Sequence, residues 1–185
     1  MTQNCKVVVL TGTCGSGKSA VAGLLALRAG WRRISEDEIW PRRVGKDRGV
    51  FGTPEHRVKR AVVHQEVLER VQAALRAGDN VVVDATIHEA PPEALEEYRA
   101  LFVEAGIRWH LFVLHPRLEV AVARDAGRGR GSLGTARVAS LFDKFTGRAI
   151  APGCFLDTSA ESADATVDRV LVALANQSLQ QTGPA

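Results

Sequence analysis

The octapeptide Gly12-Thr13-Cys14-Gly15-Ser16-Gly17-Lys18-Ser19 constrains this chain more than any other feature. It fits G-x-x-x-x-G-K-[ST], the pattern of a phosphate-binding loop. The apolar run Lys6-Val7-Val8-Val9-Leu10 precedes it and reads as a buried parallel strand, and an Ala- and Leu-rich helix from Lys18 to about Ala29 follows. Strand, glycine loop and helix each serve the same end. Gly12, Gly15 and Gly17 let the backbone turn so that successive N–H groups converge on phosphate oxygens. The helix N-terminus adds unpaired donors and a positive dipole end. Thr13, Cys14 and Ser16 complete the cradle, and Lys18 supplies a mobile charge for the β- and γ-phosphates. The Ser19 hydroxyl is placed to ligate Mg²⁺. With a solvated Lys18 side chain, the fold should tolerate its loss. A Gly-rich turn that serves only packing is the bland alternative.

At 185 residues the chain has the length of one domain with a sizeable core. Strand and helix signals alternate along it. Strands are expected at Val7–Thr11, Trp31–Ser35, Asn80–Ala85, Ile107–Leu114 and Cys154–Leu156. Helices are expected at Lys18–Ala29, Glu55–Ala77, Pro92–Ala105, Pro116–Asp125, Thr135–Phe145 and Ser162–Ala175, with loops over Pro41–Pro54 and Gly127–Gly134. This pattern predicts a three-layer α/β sandwich around a five-stranded parallel sheet, with ligands gathered at the carboxyl ends of the strands. Residues 1–178 form the domain in this reading, with a lid around 124–134, and 179–185 are a flexible tail. No apolar stretch approaches the roughly 18 residues of a membrane span. The N-terminus reaches a strand almost at once, leaving no room for a signal peptide, so the cytoplasm is the expected compartment. The three cysteines, Cys5, Cys14 and Cys154, have no paired spacing and imply neither a disulfide framework nor a zinc site. Cys14 lies beside a helix N-terminus, where a thiol pKa can fall and leave a reactive group.

Polar residues collect on the expected rim. Strand two ends in Ser35-Glu36-Asp37-Glu38, strand three in Asp84-Ala85-Thr86, and the last strand in Asp157-Thr158-Ser159. Phosphoryl transfer needs a held acceptor, charge neutralisation and often a carboxylate that takes the acceptor's proton. Asp37 is the candidate base, with Glu36 and Glu38 as competitors; the alternative is a helix start with first-turn carboxylates, and both roles can coexist. Asp84, after three valines, stands where it could hold a magnesium-bound water or position substrate, or else act as a structural cap. Trp40 and Arg43 could frame the acceptor, although Trp40 could equally be a buried anchor. Arg124, Arg128 and Arg130 suit phosphate oxygens. Gly127, Gly129, Gly131 and Gly134 would make their segment a mobile flap that excludes water, or merely a flexible surface loop. The net charge of +3 suits an anionic nucleotide but does not by itself imply nucleic acid. The five histidines show no metal-ligand spacing; His88, after Asp84-Ala85-Thr86-Ile87, could face the site, and the others read as structural or exposed.

By these residues the chain resembles the small P-loop kinases of the shikimate, gluconate and nucleoside monophosphate kinase architecture. Three groups are similar in outline: antibiotic O-phosphotransferases of the chloramphenicol phosphotransferase type, polynucleotide 5′-kinases, and zeta-toxin-like kinases of nucleotide sugars. The features that carry the resemblance are Gly12–Ser19, Asp37, Val81–Asp84 with Asp84-Ala85-Thr86, Arg124–Arg130 and Asp157–Ser159. Cys14-Gly15-Ser16 is closer to gluconate kinases, and Trp40-Pro41-Arg42-Arg43 matches no acceptor pattern of these groups. The resemblance implies an ATP- and Mg²⁺-dependent kinase acting on a small-molecule hydroxyl, as a monomer or homodimer. In that reading Gly12–Ser19, Arg124, Asp157 and Thr158 bind nucleotide, and Lys18, Asp37, Arg124, Arg128 and Arg130 are catalytic. Asp37, Trp40, Arg43 and Asp84 meet the acceptor, and Ser19 and Asp84 serve the metal. A nucleoside or polynucleotide 5′-kinase is the first alternative; aromatics at 5% weigh against a strand binder that stacks bases. A nucleotide-binding switch or NTPase module is the alternative of another class.

Overall fold

The computed structural model describes residues 5–47, 49, 53–85, 93–146 and 152–175. Five strands, β1 (Val7–Gly12), β2 (Arg32–Ser35), β3 (Val81–Asp84), β4 (Trp109–Leu114) and β5 (Phe155–Leu156), pair in parallel in the order β2-β3-β1-β4-β5. Seven helices connect and cover them: α1 (Lys18–Ala29), α2 (Glu36–Arg43), α3 (Pro54–Arg76), α4 (Glu93–Glu104), α5 (Leu118–Ala126), α6 (Thr135–Thr146) and α7 (Ala163–Ala175).

The continuous valine runs follow from a sheet buried on both faces. Side chains alternate along a strand. Val7 and Val9 of β1 therefore join one core with Val81 and Val83, against Val63, Val67 and Val71 of α3 and Tyr98 and Phe102 of α4. Val8 and Leu10 enter the other core with Val82 and Phe112, against Val21, Ala22 and Leu25 of α1 and Val167 and Val170 of α7. A third, smaller cluster joins Cys14 to Ala121, Val138 and Leu141, and so seats the glycine loop on α5 and α6.

The three-layer fold and the parallel five-stranded sheet are as expected. One difference lies at Pro41, where a loop was expected to begin. Instead α2 runs on to Arg43 with Pro41 inside it. Proline removes one helix bond and crowds the preceding turn. Burial of Ile39 and Trp40 in the core offsets that cost, and the Val44 N–H closes the end on the Trp40 carbonyl at 3.0 Å. The Gly127–Gly134 segment contains a single 3-10 turn, Gly129–Gly131. Thr86, His88 and the tail from 179 to 185 lie outside the described residues.

Two glycines of the loop are required by close packing. At Gly12 (φ +154°) a Cβ would stand 2.3 Å from the Leu114 carbonyl oxygen, and at Gly15 (φ +75°) one would stand 2.2 Å from that of Ala121. Gly15→Ala should therefore lower Tm by at least about 4 °C, since the backbone conformation alone costs about 1–3 kcal/mol. Gly23 of α1 has open space around it and helical φ. Gly23→Ala should leave Tm unchanged or raise it, by the roughly 0.5–1 kcal/mol that glycine costs in a helix. Thermal unfolding followed by circular dichroism compares the two.

Candidate active site

The glycine loop spans the gap between β1 and α1 as the sequence predicts. The Ser16 N–H bonds to the Thr13 carbonyl at 3.1 Å, and α1 opens with the Val21 N–H on the Gly17 carbonyl at 3.0 Å. Thr13 Oγ1 and Ser16 Oγ are buried with no protein partner. Buried hydroxyls left so cost about 1–3 kcal/mol each, which a ligand's oxygens would recover. Lys18 is not solvated, contrary to expectation: it is 7% exposed, folded in against the loop. A buried lysine at the foot of a glycine loop fits a polyphosphate ligand. Ser19 is exposed on the first turn of α1. Among the described residues no group of three or more His, Cys, Asp or Glu could hold a metal. A magnesium ion that arrives on nucleotide phosphates needs only one or two protein ligands, so a site of that kind would not show as such a group.

The three consecutive carboxylates that open α2 have different fates, because helical neighbours point about 100° apart. Glu36 turns inward, is 3% exposed, and meets His64 Nε2 at 3.2 Å. The His64 ring lies 4.6 Å from that of Tyr98. Burial, followed by the Glu36 carboxylate beside it, pushes the Tyr98 hydroxyl well above its ordinary pKa. Glu38 turns sideways to Arg33 Nη1 at 3.0 Å. Asp37, between them, is exposed.

Arg33 was not anticipated. Its second nitrogen, Nη2, donates to Asp84 Oδ2 at 2.8 Å, so one guanidinium joins the end of β3 to the first turn of α2. Parallel register sets this up, since β2 and β3 pair Ser35 with Asp84. An arginine alternating with apolar residues two positions before an acidic rim is the only hint the sequence carried. Asp84 is 4% exposed, at the rim beside the glycine loop's own strand. Trp40 is buried and stacks on His56 with ring centroids 5.4 Å apart. Arg43 pairs with Glu66 of α3 at 3.2 Å. These two residues are thus tied to the core and to α3.

The arginines after β4 also divide. Arg124 Nη2 donates to the Thr158 carbonyl at 2.8 Å and to that of Glu161 at 3.2 Å, so it props the turn after β5. In that turn Asp157 Oδ1 accepts the Ser159 N–H at 2.8 Å, and the two Ser159 bonds hold its carboxyl below the usual carboxylate range. The Thr158 hydroxyl faces the Ser16 carbonyl at a long 3.4 Å. Arg128 Nη1 reaches Cys14 Sγ at 3.5 Å, over the glycine loop, and Arg130 is exposed.

A second unanticipated residue, Asp125, organises this segment. It is 1% exposed. Its Oδ2 accepts from Ser132 Oγ (2.7 Å), the Leu133 N–H (2.8 Å) and the Gly134 N–H (3.2 Å), and its Oδ1 accepts from Cys14 Sγ (3.5 Å). Burial opposes the charged form, but these bonds together outweigh it and hold the carboxyl below its ordinary value. The legible clue was an acid in the last turn of a helix, where the dipole disfavours it and donors must compensate. Cys14 differs from expectation too. Burial comes first among the causes that raise its thiol pKa, with the Asp125 bond adding to it, against the lowering effects of Arg128 and Lys18. It is a packed thiol whose burial favours the protonated form.

Glycine loop, acidic rim and arginine segment all stand at the carboxyl ends of the parallel strands. A family model described as an AAA domain matches residues 7–148. The chain belongs to the AAA domain family. Within it, its fold is that of the small P-loop kinases. The tunicamycin resistance protein of Deinococcus radiodurans superposes with a TM-score of 0.70 at 18% identity, over 98% of this chain and 100% of that one. APS kinase of Mycobacterium tuberculosis, in complex with AMPPNP and APS, gives a TM-score of 0.67 at 22% identity, over 92% and 98% of the two chains. A sugar kinase from Janibacter sp. gives 0.67 at 21% identity, over 92% and 95%. No curated protein matches the sequence significantly.

The Asp125 carboxyl has a folded pKa below its ordinary 3.8. Its contribution to stability is therefore complete above that ordinary value and is lost as pH falls through the lowered folded one. Asp125→Asn should lower Tm near pH 6, and the gap to the wild type should close as pH falls through the lowered folded pKa. Thermal melts across this range measure it; a constant difference would show that ionisation of Asp125 does not stabilise the fold.

Proposed function

We propose that the protein is an ATP- and Mg²⁺-dependent kinase that transfers a γ-phosphoryl group to a hydroxyl of a small molecule. The observation that carries this reading is the placing of an acidic first turn of α2 at the strand rim beside Asp84: Glu36 is buried against His64, Glu38 is exposed and paired to Arg33, and Asp37 between them is exposed. A transferase needs one carboxylate presented to an acceptor and held in direction, and the two neighbours supply that hold. The N–H groups of Gly12–Ser19 and the Lys18 ammonium bind the polyphosphate in this reading, and the turn at Asp157 and Thr158, propped by Arg124, lies beside the loop. Bound magnesium would neutralise β- and γ-oxygens, with Ser19 and Asp84 as its protein donors. Asp37 takes the acceptor's proton, and Arg128 and Arg130 stabilise charge on the transferring group. The all-free cysteines agree with a reducing, cytoplasmic setting. Among the described residues no helix is long and apolar enough to cross a membrane.

A 5′-hydroxyl kinase of nucleosides or polynucleotides would use the same machinery, and the low aromatic content argues against stacked bases along a strand. A nucleotide-binding switch or NTPase is the reading of another class, and the acceptor screen below separates it from a transferase by ADP release that no added acceptor stimulates.

Asp37→Asn should lower kcat by roughly 10²–10⁴ with little change in nucleotide affinity, the usual range for loss of a general base. Glu38→Gln should cost far less. The assay is ADP release, screened across antibiotics, sugars, nucleosides and 5′-hydroxyl oligonucleotides. If Glu36→Gln or Glu38→Gln is the silent enzyme, the base is misassigned. Lys18→Ala should abolish transfer and, because the side chain is buried, also lower Tm; full activity in that variant would overturn the kinase reading.

A further inference from the structure

Asp125 stands between Arg124 and Arg128 at the end of α5. Two effects oppose its charge there, burial and the negative end of the helix dipole. Nothing in the holding of phosphates uses it directly, yet the donors that meet it come from two separate parts of the fold, the arginine segment and the phosphate-binding loop. Ser132, Leu133 and Gly134 close the glycine-rich segment onto Oδ2, just ahead of α6. Cys14, from the phosphate-binding loop, donates to Oδ1. Arg128 Nη1 lies 3.8 Å from the same oxygen and 3.5 Å from Cys14 Sγ.

We infer that Asp125 is a positioning residue for phosphoryl transfer: it ties the arginine segment to the phosphate-binding loop and so holds the Arg128 guanidinium over it. The inference rests on the kinase reading above. The physical need is clear. A segment with glycines at 127, 129, 131 and 134 has high conformational entropy, and an arginine on it would be poorly directed. A charge that is held in place stabilises a transition state without reorganisation at the moment of reaction. One buried carboxylate with several donors supplies that constraint from inside, leaving the guanidinium exposed to ligand.

Asp125→Asn tests this in the full-length protein. The amide keeps the shape but has one acceptor oxygen. In either orientation its NH₂ faces one of the two donor groups, the Ser132–Gly134 side or the Cys14–Arg128 side. Two readouts are expected to move. Trypsin cleavage after Arg128 and Arg130 should speed up about tenfold, as local opening becomes easier. Turnover, followed as ADP release from ATP–Mg²⁺, should fall by about 10–100-fold through misplacement of charge, with KM for ATP within about threefold of wild type. A lower Tm with unchanged kcat would mean a merely structural role and overturn the inference, as would wild-type cleavage. If Asp125→Asn does not fold, Ser132→Ala decides. It removes one donor and should shift both readouts in the same direction by less; no shift overturns the inference. If the wild type neither releases ADP nor binds a fluorescent ATP analogue, the kinase reading fails. Cleavage then decides by itself whether the carboxylate ties the segment.

Discussion

The backbone contact between the glycine loop and its neighbours underlies the rest of the structure. The Leu114 and Ala121 carbonyl oxygens occupy the positions that side chains at 12 and 15 would need. The loop can therefore lie flat against the end of β4 and the middle of α5. That proximity brings Cys14 into a small core with Ala121, Val138 and Leu141, and it places the end of α5 over the loop. Any larger residue at 12 or 15 would lift the loop from α5 and separate the phosphate cradle from the arginines.

Charge is then arranged around this contact by pairing rather than by exposure. Glu36, Asp84 and Asp125 are all buried, and each has a named partner. Burying a carboxylate without partners is costly enough that the group would protonate instead. Each of these three fixes a different part of the rim: Glu36 seats α2 on α3, Asp84 joins β3 to Arg33, and Asp125 closes the arginine segment. Asp37 is held in its place by neighbours whose own charges are satisfied.

The extended strand runs, the helix bounds and the parallel sheet were legible because they rest on local patterns. The α1 bounds Lys18–Ala29 follow from a glycine on each side and an apolar stripe between. The β1 run of valines and leucine could only be a strand buried on both faces. At Pro41 local reasoning stopped the helix too soon, because the burial of Ile39 and Trp40 was not visible in the residue order. Lys18 misled for a similar reason: a lysine reads as solvated until the fold closes over it.

Sequence alone determined that this chain carries a phosphate-binding-loop motif at a strand-to-helix turn and that its layers are helix, parallel sheet and helix. Those conclusions depend on glycine positions and on periods of two and 3.6 residues, which neighbouring residues carry between them. Tertiary structure alone decided which of three adjacent carboxylates is buried, and that Arg33 reaches Asp84, 51 residues away. It also decided that Cys14 meets Asp125 across 111 residues, where burial raises its thiol pKa. Such pairings depend on strand register and on which helix face turns inward, and these are set by the packing of the whole domain rather than by any short stretch of chain.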